Sequence, residues 1–387
     1  ESYAEEYAQF RKKIGKFTDE DLVNERLYPD PETVRVRAYA TQSTHKSLTS
    51  LRQGSMIHIN DQDFKHKVQE PFNEAFMTHT STSPNYQILA SLDIGRRQVE
   101  LEGFEMVQKQ IELAKAIRER VASHPLLSKY FRFLNAKDMI PEEYRPSGIG
   151  NYFDPEKGWR NTRMEEAWAM DDFVIDLSRL TLYLGLTGVD GDTFKNQYLM
   201  DKYGIQINKT SRNTVLFMTN IGTTRSSVAF LIEVLVKIAT EFEQQREDAG
   251  RVERRLIDKK VKSLSQELPP LPDFSHFHEA FSPSASRKIK TPEGDIRRAF
   301  FCAYDEENCE YMTIDEETIG KAMRSGRELV SASFVTPYPP GFPVLVPGQV
   351  VSEQILAFIR ALDVKEIHGY EPEIGLQLFT EEALANL

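Results

Sequence analysis

A polar segment enclosed by two strand-like runs constrains most strongly how this chain folds. Residues 34–39 read Val-Arg-Val-Arg-Ala-Tyr, an alternation of apolar and polar side chains that is typical of a half-buried β-strand. Residues 56–59, Met-Ile-His-Ile, form a second short apolar run. Between the two runs, residues 43–46 read Ser-Thr-His-Lys. The pattern predicts a turn between two strands, with the histidine and the lysine on the turn.

The lysine is the residue type on this turn that can carry covalent chemistry. A primary amine forms an imine with an aldehyde cofactor and can exchange it with an incoming amino acid, which a guanidinium cannot do. Residue type alone does not single out Lys46, because it is one of 48 lysine and arginine residues. His45 is either an ordinary turn histidine or a group that stacks on a cofactor ring and delivers a proton. The hydroxyls of Ser43 and Thr44 either cap the turn or donate hydrogen bonds to phosphate oxygens.

A second cluster of hydroxyl residues precedes a proline at residues 80–84, Thr-Ser-Thr-Ser-Pro. Short hydroxyl side chains compete for backbone groups and therefore favour caps and turns. The same side chains also suit a tight anion cradle. Both interpretations remain open for Thr82 and Ser83.

Composition limits the classes of protein to which the chain can belong. A length of 387 residues exceeds what a single core usually organises, so two or three domains are expected. The net charge of -11 argues against nucleic acid as a partner, because phosphate backbones require a basic surface. No apolar run reaches the ~18 residues that span a membrane, and no secretory signal is visible. These features predict a cytoplasmic protein that does not bind membranes.

No pattern in the sequence predicts a metal site or a disulfide framework. The only cysteines are Cys302 and Cys309, which do not form the pair of pairs that is typical of zinc sites. His276 and His278 have a spacing compatible with a metal on a strand, but no thiol lies near them in the sequence. We therefore interpret them as a surface pair.

Hydrophobic periodicity and the distribution of charge predict several helices, among them a short one at 194–203, and several short strands. Apolar residues recur at intervals of three and four over residues 101–121, and again after Thr224. The highly charged stretch beyond Gly250 predicts a solvated helix. Residues 204–207 and 215–218 are strand candidates, and residues 269–272, Pro-Pro-Leu-Pro, predict a linker.

Three blocks of the chain resemble one known family. Residues 40–59, which include the lysine turn, closely resemble the pyridoxal-phosphate lysine segment of the bacterial ornithine/lysine/arginine decarboxylases. Residues 73–84 are similar to the next block of that family. Residues 338–343, followed by Pro-Gly at 347–348, look like its C-terminal signature. The blocks occur in the order of the family and together span most of the chain.

The resemblance implies an α/β fold of the aminotransferase-like class, fold type I, which binds pyridoxal 5'-phosphate. It divides the chain into the C-terminal part of a cofactor-binding large domain at 1–100, a small α/β domain at 101–250 and a C-terminal α/β domain at 251–387. It further implies decarboxylation of lysine, ornithine or arginine in a homodimer or larger oligomer whose active sites lie at the subunit interface. The implied site residues are Lys46 for the Schiff base, His45 against the cofactor ring, and Ser43, Thr44, Thr82 and Ser83 around the phosphate.

The chain also departs from the pattern of the family. The aspartate that pairs with the pyridinium nitrogen and the phosphate-binding loop lie upstream of the lysine in the family, and no counterpart of either is found here. The chain starts without methionine, so we expect a fragment or a processed product, with the upstream half on a separate chain as one possibility. Asn208 and Gln349 stand where glutamates are usual in the family, which leaves the choice of substrate open.

Two other functions remain as alternatives. The chain is either a non-catalytic homologue or subunit fragment that assembles with, or regulates, a partner decarboxylase, or a fold-type-I enzyme of another specificity, such as an aminotransferase. Product analysis separates the enzymes, because only a decarboxylase releases carbon dioxide and leaves an amine.

Overall fold

A computed structural model describes most of the chain and divides it into two compact units. The described residues are 2–24, 27–153, 163–266, 270–282, 294–315, 317–338, 341–361 and 366–387. The units comprise residues 1–109 and 110–387, and the division into three domains stays a prediction. Residue 269 of the predicted linker and the two prolines at 339–340 lie outside the described residues.

The first unit is built around one antiparallel pair of strands. Its elements are α1 (Ser2–Ile14), α2 (Asp19–Asn24), β1 (Arg37–Gln42), α3 (Thr44–Ser47), β2 (Met56–Asp61), a π-helical turn (Phe64–Val68), α4 (Gln69–His79) and the first part of α5 (Tyr86–Ser123). The register of the pair runs from Arg37 opposite Asp61 to Gln42 opposite Met56. The two predicted strands are confirmed, although β1 begins three residues later than the alternation indicated.

Asp63, which follows β2, binds two arginines at the start of β1. Its two carboxylate oxygens each accept a hydrogen bond, at 2.7 Å, from the guanidinium groups of Arg35 and Arg37. The carboxylate is buried, with 6% of the residue exposed. Hydrogen bonds from Arg35 and Arg37 hold the pKa of Asp63 well below its usual range. The charged form of Asp63 therefore stabilises the segment that pairs β1 with β2.

Helix α5 is much longer than the predicted helix over residues 101–121 and begins at Tyr86. Asn85 caps its first turn, because its side-chain oxygen accepts hydrogen bonds from the backbone N–H groups of Gln87 and Ile88 at 3.0 and 3.2 Å. The sequence pattern missed this first half because apolar side chains such as Ile94, 69% exposed, lie on its outer face. Such side chains blur the periodicity by which a helix is recognised.

The second unit opens with a four-stranded antiparallel sheet. Its first elements are α6 (Leu127–Tyr130), β3 (Arg132–Phe133), α7 (Ala136–Met139), α8 (Met164–Met170), β4 (Arg179–Tyr183), α9 (Gly191–Thr193), a π-helical stretch (Phe194–Met200), α10 (Asp201–Tyr203), β5 (Lys209–Thr210), β6 (Thr214–Met218), α11 (Arg225–Asp248) and α12 (Arg251–Ser265). The strand order is β3-β4-β6-β5. The core that joins the sheet to the end of α5 and to α11 includes Leu113, Ile117, Leu180, Leu182, Val215, Phe217, Val234, Leu235 and Ile238.

The helices predicted after Thr224 and Gly250 and the strand predicted at 215–218 are confirmed. The strand predicted at 204–207 is wrong. Gly204 has a φ of +65° and ends α10 in the left-handed conformation, so the chain turns there and pairs only at Lys209–Thr210. A short segment with alternating isoleucines does not by itself distinguish a strand from the chain that follows the end of a helix.

Arg118 joins α5 to the sheet in a buried position. It is 4% exposed, and its guanidinium donates hydrogen bonds to the backbone oxygens of Leu134 at 3.0 Å and Arg179 at 3.1 Å. Burial lowers the pKa of Arg118 to about 10. The side chain thus bonds to the carbonyl groups at the end of β3 and at the start of β4.

The C-terminal part of the second unit has two further cores and two small sheets. Its elements are α13 (Ile296–Cys302), β7 (Cys309–Met312), α14 (Ile319–Arg324), β8 (Thr336–Tyr338), α15 (Glu353–Ala361), β9 (Glu366–His368), β10 (Tyr370–Glu371), β11 (Gly375–Phe379) and α16 (Glu381–Asn386). The sheets have the orders β10-β11-β7 and β8-β9, all antiparallel. Across the described ranges, no helix combines the length and apolarity that crossing a membrane requires.

The N-cap of α11 provides a test of the fold. The hydroxyl of Thr224 accepts a hydrogen bond from the backbone N–H of Ser227 at 3.1 Å. We expect Thr224→Ala to lower the free energy of unfolding by about 1 kcal/mol, because a helix donor loses its partner. Urea unfolding followed by circular dichroism measures the change. The matched control is Thr240→Ala on the exposed face of the same helix, where alanine favours the helix; equal losses in the two variants would contradict the cap.

The lowered pKa of Asp63 predicts how the stability of the β1–β2 pair depends on pH. Because the pKa of Asp63 is lower in the folded protein, the unfolded chain binds its proton first on acidification. Its stabilising contribution is therefore fully present above about pH 4 and is lost as the pH falls further. We expect Asp63→Asn to reduce hydrogen-exchange protection of β1 and β2 at pH 6, with a difference from wild type that shrinks below about pH 4.

The matched control for Asp63→Asn is Asp93→Asn, whose carboxylate is 74% exposed. This variant should leave the protection of β1 and β2 unchanged at both pH values. A difference between wild type and Asp63→Asn that does not depend on pH would rule out the charge of Asp63 as the cause.

Candidate active site

The lysine turn lies in the loop of residues 43–55, whose two ends are held together by the pairing of Gln42 with Met56. The first part of the loop is the single helical turn α3, which the backbone N–H of Lys46 closes on the oxygen of Ser43 at 3.2 Å. The side chain of Lys46 is exposed. Among the residues that the structure describes, no carboxylate forms an ion pair with it. Its amine is therefore accessible to a ligand.

His45 is fixed by the return segment of the same loop. Its Nδ1 lies 3.0 Å from the backbone oxygen of Gly54. A carbonyl oxygen only accepts, so Nδ1 carries the proton of this hydrogen bond. In the neutral ring, Nε2 then keeps its lone pair, and it is the atom of His45 that can take up or deliver a proton.

Thr44 is the buried polar residue of the turn. It is 2% exposed, and its hydroxyl has no hydrogen-bond partner among the described residues. An unsatisfied buried hydroxyl costs roughly 1–3 kcal/mol, so this group is a candidate donor to a bound molecule. Ser43 is exposed beside it, and its side chain makes no cap to α3. The turn thus presents an amine, an imidazole nitrogen and two hydroxyls, which fit a ligand with aldehyde and anionic groups.

Thr82 and Ser83 do not meet this turn within the chain. Both are exposed in the segment between α4 and α5. The backbone N–H of Ser83 bonds to the hydroxyl of Ser81 at 3.1 Å, as in a local turn. Over the described part of the chain, neither side chain is hydrogen-bonded to residues 43–46. Of the six predicted site residues, the structure brings together Ser43, Thr44, His45 and Lys46.

The sequence pattern did not reveal what supports the loop. The hydroxyl of Ser91 on α5 accepts a hydrogen bond from the backbone N–H of Leu51 at 2.9 Å. A Cβ atom added at Gly95 of the same helix would lie 2.0 Å from the backbone oxygen of Thr49. A serine and a glycine four residues apart share one helix face, which is the only sign of this contact in the sequence.

The histidine pair at 276 and 278 lies away from the lysine turn along the chain and contacts one carboxylate. The Nε2 atoms of His276 and His278 are 3.4 and 3.5 Å from the two oxygens of Glu328. Nδ1 of His278 accepts the backbone N–H of Ala280 at 3.1 Å, so the proton of its neutral ring is on Nε2 and no lone pair is free there for a metal. Within the described ranges, no group of three or more metal-ligating side chains is arranged to hold an ion.

Neither cysteine has the properties of a reactive thiol. Cys302 and Cys309 are partly buried in the C-terminal part of the second unit. Burial raises the pKa of both thiols. A raised pKa reduces the thiolate fraction that nucleophilic chemistry requires.

The two departures from the family pattern have different surroundings. Asn208 is exposed just before β5, and its backbone N–H bonds to the oxygen of Leu216 at 2.9 Å. Gln349 is buried, and its amide nitrogen donates to the backbone oxygen of Phe274. A glutamate carboxylate could not donate this bond, so glutamine suits the position. Gln349 is thus a structural residue of the C-terminal turn, whereas Asn208 is exposed.

Known proteins match the chain over most of its length. The inducible lysine decarboxylase of Escherichia coli K12 is 27% identical over 371 residues, covering 87% of this chain and 47% of that protein. The constitutive ornithine decarboxylase of the same organism is 24% identical over 369 residues, covering 87% and 49%. The chain spans about half the length of the curated relatives it matches.

The crystal structure of the Francisella novicida lysine decarboxylase LdcF matches with a TM-score of 0.58 and 23% identity, over 91% of this chain and 49% of that one. This likeness confirms the predicted α/β, fold-type-I class. Residues 26–227 match the family model described as "Orn/Lys/Arg decarboxylase, major domain", and residues 302–382 match the model of its C-terminal domain. The resemblance seen in the sequence is confirmed, and the chain belongs to the Orn/Lys/Arg decarboxylase family.

Proposed function

We propose that this chain carries the cofactor lysine of a pyridoxal 5'-phosphate-dependent decarboxylase. The substrate is a basic amino acid, either lysine, ornithine or arginine, and the products are the corresponding amine and carbon dioxide. The observation that carries the proposal is the single turn on which an accessible amine, a histidine of defined tautomer and an unsatisfied buried hydroxyl come together. Membership of a decarboxylase family supports the same chemistry.

Each residue of the turn has a distinct role in this proposal. When bound, the cofactor supplies an electron-accepting ring that takes up the electrons left on the α-carbon as carbon dioxide departs. Lys46 holds the cofactor through Nζ and releases it to the incoming amino acid. His45 stacks against the ring and takes up or delivers a proton at Nε2, because the proton on its Nδ1 is bound to the oxygen of Gly54.

The two hydroxyls of the turn are proposed to bind the cofactor phosphate. Thr44 is buried and lacks a partner, so a phosphate oxygen would satisfy a donor that is otherwise unpaired. Ser43 adds a second, exposed donor from the start of the same turn. Thr82 and Ser83 are exposed in their own chain, and we propose that they reach the phosphate of a neighbouring subunit.

A homodimer or larger oligomer is part of the proposal. The first unit exposes large apolar side chains along α5, among them Ile94 at 69%, Leu101 at 69% and Phe104 at 79%. Apolar side chains clustered in this way are usually covered by another surface. An interface there would also explain why the phosphate residues of this chain are divided between the turn and the exposed 80–84 segment.

The identity of the basic amino acid is left to measurement. Asn208 stands exposed where a glutamate is usual, and a neutral amide offers less attraction to a distal substrate cation than a carboxylate does. Product analysis with lysine, ornithine and arginine in parallel decides among them.

A non-catalytic subunit is the second candidate. It is favoured by the separation of Thr82 and Ser83 from the lysine turn within the described chain. Mass spectrometry of the native sample discriminates between the two functions. A second polypeptide with an aspartate and a phosphate-binding loop supports the enzyme, whereas a lone chain that fails to retain pyridoxal phosphate supports the alternative.

Replacing the lysine tests the proposed function. We expect Lys46→Ala to reduce release of labelled carbon dioxide from the preferred basic amino acid by about 10³-fold or more, because the covalent attachment point is lost. The measurement uses the native complex and carboxyl-labelled lysine, ornithine and arginine. Lys65→Ala, which removes another exposed lysine of the first unit, is the control and should retain full activity. Unchanged activity of Lys46→Ala would refute the proposal.

Replacing Thr44 by valine is expected to have opposite effects on the stability of the protein and on its affinity for the cofactor. Thr44→Val keeps the shape of the side chain and removes a buried hydroxyl without a partner, so we expect the cofactor-free protein to gain about 1 kcal/mol. Affinity for pyridoxal phosphate should fall by about fivefold or more, since a phosphate donor is lost. Thermal unfolding and equilibrium dialysis measure the two effects. If stability and affinity both decrease, Thr44 is a packing residue.

A further inference from the structure

Helix α5 contacts the lysine loop at a point that the proposed function does not use. The loop of residues 43–55 leaves the lysine turn and returns to β2 along the helix, within the first unit. Three helix positions, Ser91, Leu92 and Gly95, meet this return segment. They lie on one face of the helix, at a spacing of one and four residues.

The contact at Gly95 is a direct approach of two backbones. A Cβ atom at this position would lie 2.0 Å from the oxygen of Thr49, a distance that side chains do not tolerate. Gly95 is buried in the structure. The absence of a side chain therefore lets the return segment lie against the helix.

The contact at Ser91 is a hydrogen bond with a fixed direction. The hydroxyl of Ser91 donates to the backbone oxygen of Ile88 at 2.7 Å and accepts from the backbone N–H of Leu51 at 2.9 Å. Because both roles are filled, the hydroxyl cannot rotate freely. It holds Leu51 at one place along the helix.

The end of the return segment is held in a conformation that side chains rarely adopt. Gln53 has a φ of +74°, in the left-handed region that favours glycine. Such a conformation persists only where the surroundings determine it. The next residue, Gly54, is buried, and a Cβ atom there would come within 3.0 Å of Leu92 on α5. The helix thus fixes Gly54, whose oxygen receives the hydrogen bond of His45.

We propose that Ser91 and Gly95 are positioning residues for His45 and Lys46, acting through the return segment and the oxygen of Gly54. Through this connection, α5 sets the tautomer of His45 and the direction in which the Lys46 amine points. The inference rests on the proposed function for its consequence in catalysis. The link between α5 and the histidine is itself independent of the cofactor.

The test uses the full chain and the variants Ser91→Ala, Ser91→Thr and Gly95→Ala. One readout is attachment of pyridoxal phosphate to Lys46, trapped with borohydride as a stable secondary amine, mapped by peptide mass spectrometry and divided by attachment to Lys65. A second readout is the ¹⁵N spectrum of the His45 ring, which distinguishes a protonated from an unprotonated Nδ1. Asp93→Ala, an exposed change on the same helix, is the matched control.

We expect Ser91→Ala to slow attachment at Lys46 about fivefold, as for the loss of one net hydrogen bond. Ser91→Thr keeps the hydroxyl and should restore the wild-type rate. Gly95→Ala should reduce the rate by about tenfold or more, because it displaces the loop. In Ser91→Ala the His45 spectrum should change from the Nδ1-protonated tautomer to a mixture, while Asp93→Ala leaves both readouts unchanged.

Wild-type rate and spectrum in Ser91→Ala would overturn the inference, as would an equal loss in Ser91→Ala and Ser91→Thr. If Gly95→Ala fails to fold, Ser91→Ala and its threonine counterpart decide alone. Failure of the proposed function is distinguishable. In that case wild-type Lys46 is labelled no faster than Lys65, and the His45 spectrum of the variants still decides whether α5 positions the histidine.

Discussion

The antiparallel pairing of β1 with β2 is the constraint on which the candidate site depends. Gln42 pairs with Met56, so the thirteen residues between them must leave and return at one point. At the other end of β1 and β2, the carboxylate of Asp63 accepts hydrogen bonds from two arginines. A loop with both ends fixed loses less entropy when it is ordered than a free segment does. Its histidine and lysine can therefore be held in place by a small number of contacts.

Some polar side chains of this loop have a hydrogen-bond partner and others do not. His45 has a partner at Nδ1 in Gly54, whereas the buried hydroxyl of Thr44 has none among the described residues. Folding normally pairs buried polar groups, so this hydroxyl is available to the bound molecule that we propose. Lys46 lies two residues further on the same turn with an accessible amine. The unpaired hydroxyl of Thr44 lowers the stability of the fold at the position where the proposed function requires a hydrogen-bond donor.

Local patterns in the sequence predicted local features of the structure. The alternation at 34–39 indicated β1, and the hydroxyl, histidine and lysine side chains between two apolar runs indicated the turn, because both signals lie within a few residues. The capped start of α5 was not recognised, since exposed apolar side chains obscured its period. The strand expected at 204–207 failed because Gly204 ends a helix there.

Contacts between segments that are distant in the chain could not be predicted from the sequence alone. The approach of Gly95 to Thr49 and the bond between Ser91 and Leu51 join residues about forty positions apart. Nothing in the local pattern of either segment specifies its partner. Family resemblance supplied the roles of Thr82 and Ser83, yet the single chain leaves both exposed and apart from the turn. The chemistry of the site and its assembly from distant segments thus both stay predictions, of which the structure describes only the local turn.

An experimental structure of the native protein with pyridoxal phosphate tests the central claim most directly. The account predicts continuous density from Nζ of Lys46 to the cofactor, with the hydroxyl of Thr44 at hydrogen-bonding distance from the phosphate and the loop closed between β1 and β2. Density for the cofactor on another lysine, or a phosphate bound away from Thr44, would contradict it.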